Sequence, residues 1–205
     1  MRLRLLQRTA SACALLFSAP LLFAQAQPRP LILHFDPAHT QIRWTLADVL
    51  HTVHGTFQLK GGLVSFTPAT GAAEGELLVD LDSGNSGNSA RDHKMKKDVL
   101  ETPTYPEAIF HPEKVSGTLR SGATQQVTVD GTFTIHGHDH PLRMIVSAQM
   151  THATHAHLTT HFTIPYVQWG MKDPSTFVLR VGKQVSIDVT ADATVDNLPA
   201  SNSHP

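Results

Sequence analysis

Through most of this chain apolar and polar residues alternate one by one, and a period of two is the side-chain geometry of a strand with one buried and one wet face. The clearest run sets Val127, Val129, Gly131, Phe133 and Ile135 on one parity against Thr128, Asp130, Thr132 and Thr134 on the other. The pattern returns in Leu142, Met144, Val146, Ala148 and Met150, and again in Ile187, Val189, Ala191, Ala193 and Val195. Looser runs place strands near residues 42–47, 53–59, 63–67, 76–82, 108–119 and 156–164, for eight or nine in all. Gly, Pro, Asn and Asp separate them, as antiparallel connections require. With hardly any helix to cover a sheet face, such strands must close into a barrel or stack as a sandwich.

One segment breaks the rule. Ser83-Gly84-Asn85-Ser86-Gly87-Asn88 reads as a flexible turn, and residues 89–101 then read as a helix. Ser89 followed by Asp92 resembles a capping box, and Met95 and Val99, four apart, share a face. Pro103 and Pro106 end it. A lone helix between barrel strands is expected to cover one end.

Residues 1–26 carry Arg2, Arg4 and Arg8, then an apolar stretch, then Ala24-Gln25-Ala26, and read as a signal peptide cleaved before Gln27. The stretch is broken by Ser11, Ser18 and Pro20 and is too short to span a bilayer stably. Export to the periplasm or the medium is the expectation. The only cysteine, Cys13, lies in this leader, so residues 27–197, read as one domain, rely on neither a disulfide nor a thiolate. Residues 198–205 read as a disordered tail. The leader holds three of the sixteen basic residues and none of the seventeen acids, which leaves thirteen against seventeen and a formal charge of −4. A mildly acidic body without Lys/Arg runs argues against nucleic acid.

Catalytic signatures are weak. Gly84-Asn85-Ser86-Gly87 falls short of a nucleophile elbow, and no Gly-rich phosphate loop is present. Among the fourteen histidines, His136, His138 and His140 alternate, and His155, His157 and His161 share a parity. Such spacing can supply imidazoles to a metal, but His138-Asp139-His140-Pro141 reads more naturally as a turn and the second group as a wet strand face. No metal ligands, cofactor or catalytic residues are assigned.

Several short motifs resemble the YceI-like family. They are Phe35-Asp36-Pro37-Ala38-His39-Thr40, Gly55-Thr56-Phe57, Arg91-Asp92-His93-Lys94-Met95, Tyr105-Pro106-Glu107-Ala108-Ile109-Phe110 and Val129-Asp130-Gly131-Thr132-Phe133-Thr134-Ile135-His136-Gly137. Each is turn and strand chemistry, but their order and spacing extend from about residue 34 to 195. The resemblance implies an all-β, lipocalin-like extended antiparallel β-barrel of about eight strands with one short helix covering an end. It also implies a periplasmic or secreted lipid-binding function, with a polyisoprenoid or fatty-acid-like chain held in the interior. Two departures stand out: Val167-Gln168-Trp169-Gly170-Met171-Lys172 replaces a frequent Arg-Ser-x-Phe-Gly run, and Phe133 replaces a frequent leucine. Their bulk is expected to shorten the cavity or reshape its mouth.

A barrel of this size is either filled by side chains or hollow enough for one small ligand. Small residues on the apolar parity, Gly131, Ala148, Ala191 and Ala193, favour the hollow form. The expected lining is Trp44, Phe57, Leu77, Val79, Phe133, Ile135, Met144, Val146, Phe162, Ile187 and Val189. Asp36, His39, Arg91 and Asp92 are expected to gather near one end, to hold a head group or to satisfy turn backbone. The reading is a carrier of a long apolar lipid and not an enzyme; a histidine-rich metal-binding protein and an enzyme on a lipid-like or small polar substrate are the alternatives. A homodimer is the default expectation for a small barrel with exposed strand edges.

Overall fold

The structure, a computed structural model, describes residues 29–47, 52–117, 119, 122–151, 154–177 and 180–197. The leader and the tail lie outside the described residues. Eight antiparallel strands form one closed barrel in sequence order: β1 (Leu31–Ala47), β2 (Thr52–Phe66), β3 (Ala73–Asn85), β4 (Glu107–Ser116), β5 (Thr124–Ile135), β6 (His138–Thr151), β7 (His155–Ile164) and β8 (Val185–Asp196). The ring closes where β1 pairs with β8, from Ile32 opposite Asp196 to Thr45 opposite Ser186. Every strand has a neighbour on both sides, so the exposed edges that suggested a homodimer are not there.

Strand boundaries differ from the sequence reading where turn residues serve as bulges. Residues 53–59 and 63–67 are one strand, β2, whose register against β3 slips between Leu59 and Gly61 instead of turning. β1 begins eleven residues before Ile42, at Leu31. Between Phe35 and Thr40 it bulges away from β8, where Ala193 and Ala191 are the flanking partners. The Asp36 carboxylate accepts from the Ala38 N–H at 2.8 Å, and the Thr40 hydroxyl donates to the Asp36 carbonyl at 2.7 Å, so the bulge supplies its own hydrogen bonds. The β5–β6 turn is His136-Gly137, both at positive φ (53° and 75°), and His138 to His140 belong to β6. That two-residue connection matches the twist of its strands, and Gly137 supplies the left-handed backbone.

The expected turn at residues 83–88 is shorter, because β3 runs on to Asn85. Helix α1 (Ser89–Lys94) follows and passes into a π-helical turn, Met95–Val99. Its N-cap is Asn88 and not Ser89: the Asn88 side chain accepts from the Arg91 N–H at 3.0 Å. Asp92 instead reaches back to Ser86, accepting from its N–H at 2.9 Å and its hydroxyl at 2.5 Å. Thr102, buried just after the π turn, donates to Asp82 at 3.1 Å and ties the segment to β3. The helix is thereby fixed at both ends against β3 at the barrel rim.

Two apolar clusters line the interior. The larger, including Trp44, Leu81, Phe110, Phe133, Met144, Tyr166 and Met171, occupies the α1 end and the middle. The smaller joins Leu31, Phe66, Met150, Ala156 and Val195 at the far end.

Candidate functional site

Inside the apolar wall that these clusters form, the barrel is hollow. A cavity of about 570 Å³ runs along the axis, within the range of small-molecule sites. All eight strands line it, because each turns one parity inward. Trp44 comes from β1, Phe57 from β2, Leu77 and Val79 from β3, and Phe110 from β4. Phe133 and Ile135 come from β5, Met144 and Val146 from β6, Phe162 from β7, and Ile187 and Val189 from β8. The eleven residues expected from alternation all stand on this wall. Phe110 joins them on the alternation of Ala108, Phe110 and Pro112. Connections contribute too: Met95 and Val99, which share a helical face by their spacing, and Leu100, Tyr166, Met171 and Pro174, which carried no strand alternation.

The volume does not arise where all the small residues were expected. Ala148 and Ala191 line the cavity. Gly131 does not, because a Cβ there would lie 2.3 Å from the His111 carbonyl oxygen and 2.9 Å from the Phe110 ring, which already covers its place. Ala193 is buried in the wall without facing the space.

The segment between β7 and β8 is held by specific contacts. Tyr166 donates its hydroxyl to the Gly182 carbonyl at 2.7 Å, and burial, with the Asp173 carboxylate adding to it, pushes its phenol up to about 12. Trp169 stacks flat on His140, ring centroids 4.1 Å apart and 2° between planes, and meets Phe133 at 6.1 Å. Burial holds the His140 imidazolium off, lowering its pKa, with His138 adding to the effect. Of the three unusual aromatic and thioether residues, Phe133 and Met171 thus reach the cavity, while Trp169 does not line it and packs on His140 and Phe133.

The four polar candidates are not brought together. Asp36 and His39 sit on the β1 bulge, on the outer wall, with Asp36 Oδ2 2.6 Å from His39 Nδ1. Arg91 and Asp92 stand on α1 and both hold Ser86: Arg91 Nε donates to its hydroxyl at 2.7 Å and an Arg91 terminal nitrogen to its carbonyl at 3.0 Å. Only Arg91 of the four lines the cavity. The reason is the bulge, which carries residues 36–39 out of the barrel wall instead of toward its rim.

The Asp36 carboxylate, hydrogen-bonded to His39, raises the imidazole pKa above its ordinary 6.5, and the same bond, with the Ala38 N–H, lowers the carboxylate below 3.8. Because the His39 pKa is raised, its contribution to stability is complete below 6.5 and is lost as pH rises through the folded value. The Asp36 contribution is complete above 3.8 and is lost as pH falls through the lowered value. In an NMR titration His39 is expected to lose its proton above the ordinary midpoint and to return to it in Asp36→Asn. An unchanged midpoint in that variant would show the pair to be absent in solution.

Two of the clustered histidines, His157 and His161, and His34 besides, find aspartates across the strands. His157 pairs with Asp192 at 2.6 Å, His161 with Asp188 at 2.7 Å and His34 with Asp196 at 3.2 Å. Among the described residues no three His, Cys, Asp or Glu side chains converge as a metal site.

A closed eight-stranded antiparallel barrel around an apolar bore, with a helix over one rim, belongs to the class of lipocalin-like hollow barrels. Within that class the chain belongs to the YceI-like domain family, whose model matches residues 33–193. Solved structures with the same fold include a polyisoprenoid-binding domain from Saccharophagus degradans implicated in plant cell wall breakdown, with TM-score 0.60 and 18% identity over 79% of this chain and 97% of that one. BcnA of Burkholderia cenocepacia gives TM-score 0.65 and 19% identity over 78% and 99%. The YceI protein of Campylobacter jejuni gives 0.53 and 15% over 65% and 79%. No curated protein sequence shows significant similarity to the chain.

Proposed function

We propose that this protein is a carrier that holds one long apolar lipid, a polyisoprenoid or fatty-acid-like chain, inside the barrel, and that it binds without chemical conversion. The carrying observation is the composition of the cavity wall, to which eight strands contribute apolar side chains and no acid. The polyisoprenoid-binding relative is in keeping with an isoprenoid ligand. The energetics are sufficient: burying ten methylenes is worth about 8 kcal/mol gross at about 0.8 each, before the cost of immobilising the chain. An apolar wall offers few handles for choosing among isoprenoids, fatty acids and their amides.

The leader read in residues 1–26 supports export, so the carrier would act in the periplasm or outside the cell. Protein recovered from the periplasm should have the mass of a chain starting at Gln27. Native mass spectrometry of the protein made in bacteria is expected to show a bound chain that solvent extraction releases. Protein that arrives empty and does not shield a fluorescent lipid from water would rule the carrier out.

A further inference from the structure

The polar groups of the cavity are few, and almost all are already used within the wall. The Thr40 hydroxyl donates to the Asp36 carbonyl, Thr160 to the Ile145 carbonyl at 2.8 Å and Tyr166 to the Gly182 carbonyl. Among the described residues only two charged side chains line the space, Arg91 and Lys94, and both are cations. Three apart on α1, they share a helix face and remain exposed, so the cavity reaches solvent beneath the helix.

A third donor lies deeper at the same end. Trp44 is 4% exposed and lines the cavity, and its buried Nε1–H has no acceptor among the described residues. Such an orphan donor costs about 1–3 kcal/mol unless something accepts from it. Trp44 belongs to the α1 end by packing. Its ring lies 6.4 Å from Phe57, and a Cβ on Gly84 would touch both Phe57, at 2.7 Å, and Met95 of the π turn, at 2.6 Å. The nearby acids point to other partners. Asp92 holds Ser86, Asp173 accepts from the Ser175 N–H at 2.9 Å, and Asp98 and Asp173 line a small recess beside the rim that Lys94 also borders, off the cavity wall itself.

Among the described residues, the α1 end therefore offers donors and positive charge with no acid on the cavity wall, and the residues that line the far end are apolar. We propose that the site selects a single-chain amphiphile with an anionic oxygen head, carboxylate or phosphate. The head lies under α1, where Trp44 Nε1 and the Lys94 and Arg91 cations donate to it, and the tail points toward Leu31, Phe66 and Met150. This rests on the lipid-carrier reading and adds the chemistry and direction of the ligand.

The test uses the delipidated full chain with three probes of one chain length: hexadecanoic acid, hexadecyl phosphate and hexadecanol. By calorimetry near neutral pH the two anions are expected to bind at least about tenfold tighter than the alcohol, the scale of one charge-assisted hydrogen bond. Comparison of the two anions tells carboxylate from phosphate. Lys94→Gln, a change at an exposed side chain, should lower affinity for the anions more than for the alcohol; Trp44→Phe should narrow the same difference while its melting temperature reports on folding. The Trp44 indole N–H resonance, one of only two in the chain, should move on adding an anion and less on adding the alcohol. Equal binding of all three probes, or an anion preference that survives both substitutions, would overturn the head-group site while leaving the carrier intact. If none of the three binds, both readings fail.

Discussion

Ala148→Phe combined with Ala191→Phe is expected to abolish lipid binding and leave the barrel folded. Leu158 on β7 is the cross-strand partner of Ala148 on one side and of Ala191 on the other, so the two alanines flank it on a single belt of the wall. Both are 3% exposed and line the cavity. Two rings entering there would occupy the middle of the bore, where a chain threaded along the axis must pass. Excluding about four methylenes at about 0.8 kcal/mol each amounts to about 3 kcal/mol, a loss of at least about a hundredfold in affinity. Over-packing usually destabilises, but here the added volume enters space and not filled core. Circular dichroism would establish that the variant is folded, and displacement of a fluorescent fatty acid would measure binding. A folded variant that binds as before would place the ligand elsewhere.

Gly131→Val should have the opposite profile, with a large loss of stability from a change on the same inward parity. Its Cβ would meet the His111 carbonyl oxygen at 2.3 Å, and backbone cannot swing aside as a flexible side chain can. β4 and β5 would have to separate near Pro112, the cross-strand partner of Gly131, where the register already slips toward Lys114. The expected cost is about 3 kcal/mol, at the upper end for over-packed sites, and roughly 6–12 °C in melting temperature for a domain of this size. Gly61→Ala is the control, since a Cβ at Gly61 meets nothing within 4 Å. Equal melting temperatures for the two variants would show that the Phe110 ring and the β4 backbone yield more readily than the packing implies.

The barrel was legible because inward parity is written directly into β5, β6 and β8, where long alternating runs admit one register. The lining followed from it, since a residue on the inward parity of a closed barrel has nowhere else to face. What was less legible depends on residues with two uses. Asp36-Pro37 and Gly61-Gly62 look like chain reversals, yet in β1 and β2 they make bulges, and only the partner strand decides which. His138-Asp139-His140-Pro141 has turn composition, but the actual reversal uses His136 in a left-handed conformation beside Gly137. The position of Trp169 is tertiary altogether: it packs on His140, 29 residues earlier, and no local pattern announces that stack. The four polar candidates were separated for the same kind of reason, because the β1 bulge directs Asp36 and His39 outward.

The closure of β1 on β8 also sets a timetable. His34 and Asp196 touch across 162 residues of sequence, so the first strand must wait for nearly the whole chain before its second neighbour exists. Forming such a contact requires closing the longest loop in the molecule, which makes ring closure the slow, late and cooperative step of folding. Until it occurs, β1 and β8 each present an open edge, and the incomplete chain is at its most exposed to aggregation.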